Sequence, residues 1–248
     1  MIDFVIFIVG LMIGSFANVV IYRLPQGKSI VLPGSQCRSC HRPIRPWDNM
    51  PLLSYVLLKG RCRFCQEPIG VRYPAVEFTV GVLFVLLHLK YGLSPLFVTN
   101  ALLASTLLIV ALIDLDHKVI PNMITIPGIV VGFALSLWTL PITPLSSVLG
   151  LLGGGSLFYL VALMSKGGMG GGDIKLIAMI GAFLGWQGVL FTILSGALFG
   201  SVLGVILMLL QIKGRKDTIP FGPFLSSGAI LFMLHGDELM HAYFALLS

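Results

Sequence analysis

From Phe4 to Tyr22 the chain reads FVIFIVGLMIGSFANVVIY, nineteen positions without a charged side chain. At ~1.5 Å per residue this length matches the ~30 Å hydrocarbon layer of a bilayer, where a helix satisfies its own backbone. Similar apolar segments recur at about 74–92, 94–113, 123–141 and 143–164. A longer one covers 174–211, and a last one runs from about 221 toward the C-terminus. Residues 174–211 exceed one crossing, and Gly185-Trp186-Gln187-Gly188 is the expected turn that divides them. Across 248 residues, 56% are hydrophobic and 10% charged, with a mean hydropathy of +0.98. That leaves too little charge to cover a soluble surface. The fold class is therefore an all-α polytopic membrane protein with about eight transmembrane helices.

Charge sets the expected topology. Asp3 precedes the first span and Arg23 and Lys28 follow it, which places the N-terminus outside and residue 23 onward in the cytosol. Nine of the sixteen basic residues lie in 23–73, the one long polar segment. With eight crossings every Lys and Arg except Lys90 falls on the inner side. The net charge of +6 thus reads as a topology signal that also favours anionic lipid, and not as a nucleic-acid surface. The expected organisation is a first transmembrane helix at 1–22, a cytosolic segment at 23–73 and a transmembrane core at 74–248.

Two acids stand out against this apolar background. Asp173 follows a glycine run, Gly167-Gly168-Met169-Gly170-Gly171-Gly172, which leaves the backbone open to close approach by another chain. Asp114 closes the third span in Ala111-Leu112-Ile113-Asp114-Leu115-Asp116. A carboxylate at the edge of a span is a functional candidate; a helix N-cap in a flexible turn is the plainer account of Asp173. Both acids fall at cytosolic helix ends in this topology. Two carboxyls brought together share a proton, so one can act as base toward water while the other polarises a peptide carbonyl. Asp116 lies about 200° from Asp114 around a helix and is expected in the following loop with His117 and Lys118.

Every cysteine belongs to one of two pairs, Cys37-Arg-Ser-Cys40 and Cys62-Arg-Phe-Cys65, separated by 21 residues. Two CxxC pairs on the cytosolic side read as a four-thiolate Zn²⁺ site, closed and therefore structural. A segment of this size has too little core to fold unaided, and the metal supplies the missing stability. Gly10 and Gly14 form a small-residue face for helix packing, and so do Gly181/Gly185 and Gly196/Gly200/Gly204. Asn18 is packing glue or a site residue. Glu77 is a site acid or the partner of an arginine such as Arg72. Trp138, Trp186 and Tyr22 fit aromatic belts at the membrane surface.

The order GSFANVVIYRLP (14–25), two CxxC pairs, RPWDNMPLLSY (45–55), VRYPAVE (71–77), ALIDLDHKVIPN (111–122), GMGGGDIKL (168–176) and IPFGPFL (219–225) closely resembles bacterial type IV prepilin peptidases. These leader peptidase/N-methyltransferases belong to the GxGD class of intramembrane aspartyl proteases, and the likeness runs nearly end to end. The resemblance implies a multi-pass enzyme of the bacterial inner membrane with its active site near the cytosolic face. Its substrates would be type IV prepilins or type II secretion pseudopilins, cut after the glycine that ends a basic leader. The new N-terminal residue would then be methylated with S-adenosylmethionine. By motif position the resemblance makes Asp114 and Asp173 the catalytic acids and Gly170 and Gly172 the glycines of GxGD, with Gly171 lending the loop flexibility. Methyl transfer rests on the resemblance alone, because no nucleotide-binding glycine fingerprint is present and 23–73 is too short for a Rossmann domain. No residue is assigned to the methyl donor.

Two other classes share paired acids. A transporter or channel would use them as a proton or cation site, which predicts acids near mid-bilayer and inverted repeats. Here both lie at one face, without such a repeat. In a non-catalytic, zinc-stabilised assembly platform they would be structural.

Overall fold

The computed structural model of the chain describes residues 1–165, 169–212, 214 and 219–247. Lys166, Gly167, Gly168, Lys213, Arg215 and Lys216, used in the readings above, lie outside the described residues. Among those described, regular structure is helical, with only isolated bridges between extended residues. The helices are α1 (Ile2–Arg23), α2 (Leu53–Leu57), α3 (Arg72–Tyr91), α4 (Pro95–His117), α5 (Asn122–Ser136), α6 (Pro144–Met164), α7 (Gly171–Leu209) and α8 (Gly222–Leu247). Five of these, α1, α3, α4, α6 and α7, are long and apolar enough to cross a membrane, so this is a multi-pass membrane protein. α5 has 15 residues and stops short of the 141 expected, because the N–H groups of Thr139 and Leu140 both turn back to the Leu135 carbonyl. α4 runs longer than expected and takes in Asp116 and His117. It ends where Lys118 adopts φ 54° and its N–H closes on the Asp114 carbonyl at 2.8 Å.

The chain forms two compact units, Met1–Ser105 and Thr106–Ser248. In the first, α1 and α3 pack antiparallel through the glycine face. A Cβ on Gly10 would stand 2.7 Å from Gly81 Cα, and one on Gly14 would stand 2.7 Å from Glu77 Cα. Small residues let backbones approach closely where lipid supplies no hydrophobic drive between helices. At one end His88 Nδ1 meets Asp3 Oδ1 at 2.9 Å. At the other, buried Asn18 donates from Nδ2 to the Tyr73 carbonyl at 3.0 Å, the glue role. The segment between α1 and α3 leaves from that second end.

The second unit is arranged around the first half of α7, in which Leu176 to Gly185 is buried without interruption. Close approach again runs through glycine. The Phe183 ring would lie 2.6 Å from a Cβ on Gly132, and the Gly181 carbonyl 2.7 Å from one on Gly150. At Gly185 (φ 69°, ψ −176°) the helix breaks. A Cβ on Gly154 would touch both Ile177 at 3.3 Å and Val189 at 2.9 Å. In a straight helix those two residues sit about 18 Å apart, so α7 folds back on itself. The reversal needs one residue and not four, since glycine alone takes this conformation freely and Trp186 is already helical. Gly185→Ala is expected to cost about 1–3 kcal/mol and to lower the unfolding temperature. Gly153→Ala, with nothing within 4 Å of the added Cβ, is expected to leave it unchanged.

Candidate active site and metal centre

Asp114 sits in the last turn of α4 and is 6% exposed. Its Oδ2 accepts the N–H of Gly222, the first residue of α8, at 3.0 Å. Helix N-termini favour such an anion because their first N–H groups have no partner within the helix. A Cβ at Gly222 would lie 2.7 Å from that same oxygen, so the contact requires glycine. Asp116, two positions on, is exposed.

Asp173 is the third residue of α7, and its N–H closes the first turn on the Gly170 carbonyl at 3.1 Å. Gly170 caps the helix with extended backbone (φ −74°, ψ 141°) and lies against Asp173 Oδ2, which would be 3.6 Å from a Cβ there. Gly172 packs on Ile120, whose Cβ would be 2.8 Å from its own. Ile120 also lies 3.3 Å from the Cβ position of Gly222. One isoleucine side chain therefore separates the glycine beside Asp173 from the glycine that holds Asp114, and the two carboxylates are within Coulombic range. Asp173 Oδ1 is buried without a hydrogen-bond partner among the described residues. Beside it, Lys175 Nζ donates to Asn122 Oδ1 at 2.7 Å, tying the starts of α5 and α7.

The four cysteines converge in the first unit, with their sulfurs all within 4.8 Å of one another. Tetrahedral thiolate zinc, with Zn–S near 2.3 Å, sets sulfurs about 3.8 Å apart, and Cys37 Sγ lies 3.7 Å from Cys65 Sγ. The donor set and its size fit a closed zinc site. The Cys40 N–H, helped by the Ser39 N–H and neighbouring thiols, brings the Cys37 thiol down to about 6 against the cost of desolvation. At Cys65 the Glu67 N–H acts in the lowering sense, but desolvation and the three other thiols push it up to about 12. A first thiolate forms readily and a further one is opposed by its neighbours, a conflict that a bound dication removes.

The pairs are copies of one turn. CRSCHRPI (37–44) and CRFCQEPI (62–69) each close with the first cysteine's N–H on the carbonyl five residues on, and each places the residue after the second cysteine in left-handed backbone (His41 φ 55°, Gln66 φ 60°). This repeat is visible in the sequence but goes unused when only the cysteines are counted. Arg63 in the second turn grips Asp48 through Nε at 2.8 Å and Nη2 at 2.6 Å, which holds that carboxyl below its usual range. Glu77, 9% exposed, accepts the Leu52 N–H at 2.9 Å. Tyr22 is not a free belt residue, since the Arg38 guanidinium stacks 3.7 Å from its ring centroid.

Residues 8–91 match the bacterial peptidase A24 N-terminal domain, and residues 101–205 match the type IV leader peptidase family. A Pseudomonas putida protein named prepilin leader peptidase/N-methyltransferase is 35% identical over 97% of this chain and 93% of its own length. Proteins of the same name from Pseudomonas aeruginosa and Neisseria gonorrhoeae are each 36% identical, over 95% and 91% of this chain and 91% and 88% of theirs. No solved structure matches. The chain belongs to the type IV leader peptidase family.

Metal analysis of the purified protein is expected to give about one zinc per chain, falling to background in a Cys37→Ser/Cys62→Ser variant. Unchanged zinc in that variant would rule the site out.

Proposed function

We propose that the protein cleaves the leader of type IV prepilins or type II secretion pseudopilins after a glycine and then methylates the new N-terminus. It acts at the cytosolic face of the bacterial inner membrane, with its own N-terminus outside. The relatives' shared name supports both activities. Asp114 and Asp173 are the catalytic acids. One carboxylate takes a proton from water as the water attacks the scissile carbonyl. The other, protonated, donates to the carbonyl oxygen, and the tetrahedral species collapses with the proton returned to the leaving amine. The observation that carries this reading is the pairing of unequal acids. Asp114 is fixed by the Gly222 N–H, while Asp173 Oδ1 is buried and accepts no hydrogen bond among the described residues. Gly170 keeps a side chain away from Asp173 Oδ2, which leaves that side open to an extended substrate backbone, while Gly172 lets Ile120 pack against the start of α7.

Zinc at Cys37, Cys40, Cys62 and Cys65 is structural in this scheme and takes no part in hydrolysis. S-adenosylmethionine, the donor implied for an N-methyltransferase of this family, supplies the methyl group.

Cleavage of a prepilin-like peptide, followed by mass spectrometry, is expected to disappear in Asp114→Asn and in Asp173→Asn separately. It should persist in Asp116→Asn; wild-type turnover by either of the first two would sink the assignment. Gly222→Ala pushes a methyl group into Asp114 Oδ2 and is expected to lower cleavage at least about tenfold, since displacing a catalytic group by a fraction of an ångström costs that much. Zinc content should stay at the wild-type level in Gly222→Ala.

A further inference from the structure

We infer that a cavity in the first unit is the site of N-methylation, holding the donor beside Tyr22, Tyr73 and Arg38, with Glu77 as the catalytic residue that takes a proton from the amine. This rests on the methyl-transfer half of the function proposed above and gives it a place and a base. The cavity, which also borders Cys37 and Cys62 of the thiol cluster, measures about 710 Å³, within the range of sites that enclose small ligands, about 300–1,000 Å³. Its lower walls are two helix faces. Ser15, Asn18 and Tyr22 lie on successive turns of α1, and Tyr73 and Glu77 lie one turn apart on α3.

The two ends carry opposite, unmatched charges. The close contact of Gly14 with Glu77 Cα sets the carboxylate at the depth of Ser15. Its hydrogen-bond donor is the neutral Leu52 N–H, with the Ser15 hydroxyl nearby, and no cation of this unit forms an ion pair with it. A buried carboxylate without a counter-charge is costly to keep. At the other end, Arg38 Cζ lies 3.7 Å from the Tyr22 centroid and 5.1 Å from that of Tyr73, one helical turn from Glu77 on α3. Its contacts are ring faces and not a carboxylate. Asp48 and Arg63, by contrast, satisfy each other.

Such a cavity suits a ligand with a carboxylate, a flat ring and a cationic centre. S-adenosylmethionine has all three: an amino-acid carboxylate for Arg38, a purine that stacks on tyrosine or guanidinium, and a sulfonium. When bound it supplies an electrophilic methyl and keeps the C–S electron pair as a neutral thioether. Glu77 receives the N-terminus exposed by cleavage, an ammonium, and accepts its proton on the carboxylate. The freed nitrogen lone pair forms the N–C bond as the C–S bond breaks. The product is a methylated ammonium beside a neutral Glu77, so charge and protons balance.

The test uses the full chain in detergent or lipid nanodiscs. Equilibrium binding of S-adenosylmethionine is expected to weaken about tenfold or more in Arg38→Gln and in Tyr22→Ala. Glu77→Gln still accepts the Leu52 N–H and should keep its zinc, and its transfer is measured at saturating donor. It should lose methyl transfer by about 10²–10⁴-fold, so that cut, unmethylated product accumulates by mass spectrometry. Glu77→Asp retains a carboxylate and should recover part of that transfer. Wild-type binding in both Arg38→Gln and Tyr22→Ala would put the donor elsewhere. Wild-type methylation by Glu77→Gln, or equal loss in Glu77→Gln and Glu77→Asp, would reduce Glu77 to an anchor for Leu52. A wild-type protein that cuts and never methylates would instead defeat the methyl-transfer reading, and this inference with it.

Discussion

Close approach of helix backbones at glycine is the constraint on which each unit depends. In lipid, apolar side chains gain little by leaving one hydrocarbon environment for another, so helices are held by contact and by the few polar groups they share. Gly10 and Gly14 let α1 lie directly on α3, and Gly150 and Gly181 do the same for α6 and α7. The polar links are few and placed at ends: Asp3 with His88, Asn18 with Tyr73, and the Ser147 hydroxyl on the Ala182 carbonyl at 2.8 Å. Each acid of the candidate peptidase site inherits its position from this packing. Asp114 is aimed by an α8 backbone that can come near only because residue 222 has no side chain.

The polar segment of the first unit obeys different physics. It lies outside the apolar helices and has no large core, so short-range devices hold it. The two repeated cysteine turns supply a metal-sized cluster. The Arg63 fork ties Asp48 to the second turn, and the Arg23 guanidinium gathers the carbonyls of Ser29, Pro33 and Gly34. Glu77 reaches out of α3 to hold Leu52 in left-handed backbone at φ 57°. A thiol cluster fit for a metal, one forked ion pair and backbone caps stand where a larger domain would use buried area.

Much of this was legible from residue types because their chemistry is tied to spacing. Two CxxC pairs announce a cluster of thiols, glycines four apart announce a helix contact, and acids in apolar runs announce themselves by their cost. What escaped detection works through the backbone. Gly222 acts by an N–H and an absent Cβ, and Leu52 acts by an N–H that its apolar name conceals. The division of 174–211 was readable as a length argument, but the single-residue turn was not, because Gly185 differs from its helical neighbour Gly188 only in its torsions. The cavity escaped for another reason. Tyr22, Arg38, Tyr73 and Glu77 are scattered over fifty-odd positions, and no local pattern joins them.

The reversal of α7 bears on how its first half is held in the bilayer. Its first half, from Gly171 to Gly185, is about 21 Å long, less than the ~30 Å that an independently inserted helix must cover. Its second half, to Leu209, is long enough. A segment that short depends on its successor, against which it folds back, to hold its place in lipid. The stretch that carries Asp173 is thus anchored by the half of α7 that follows it.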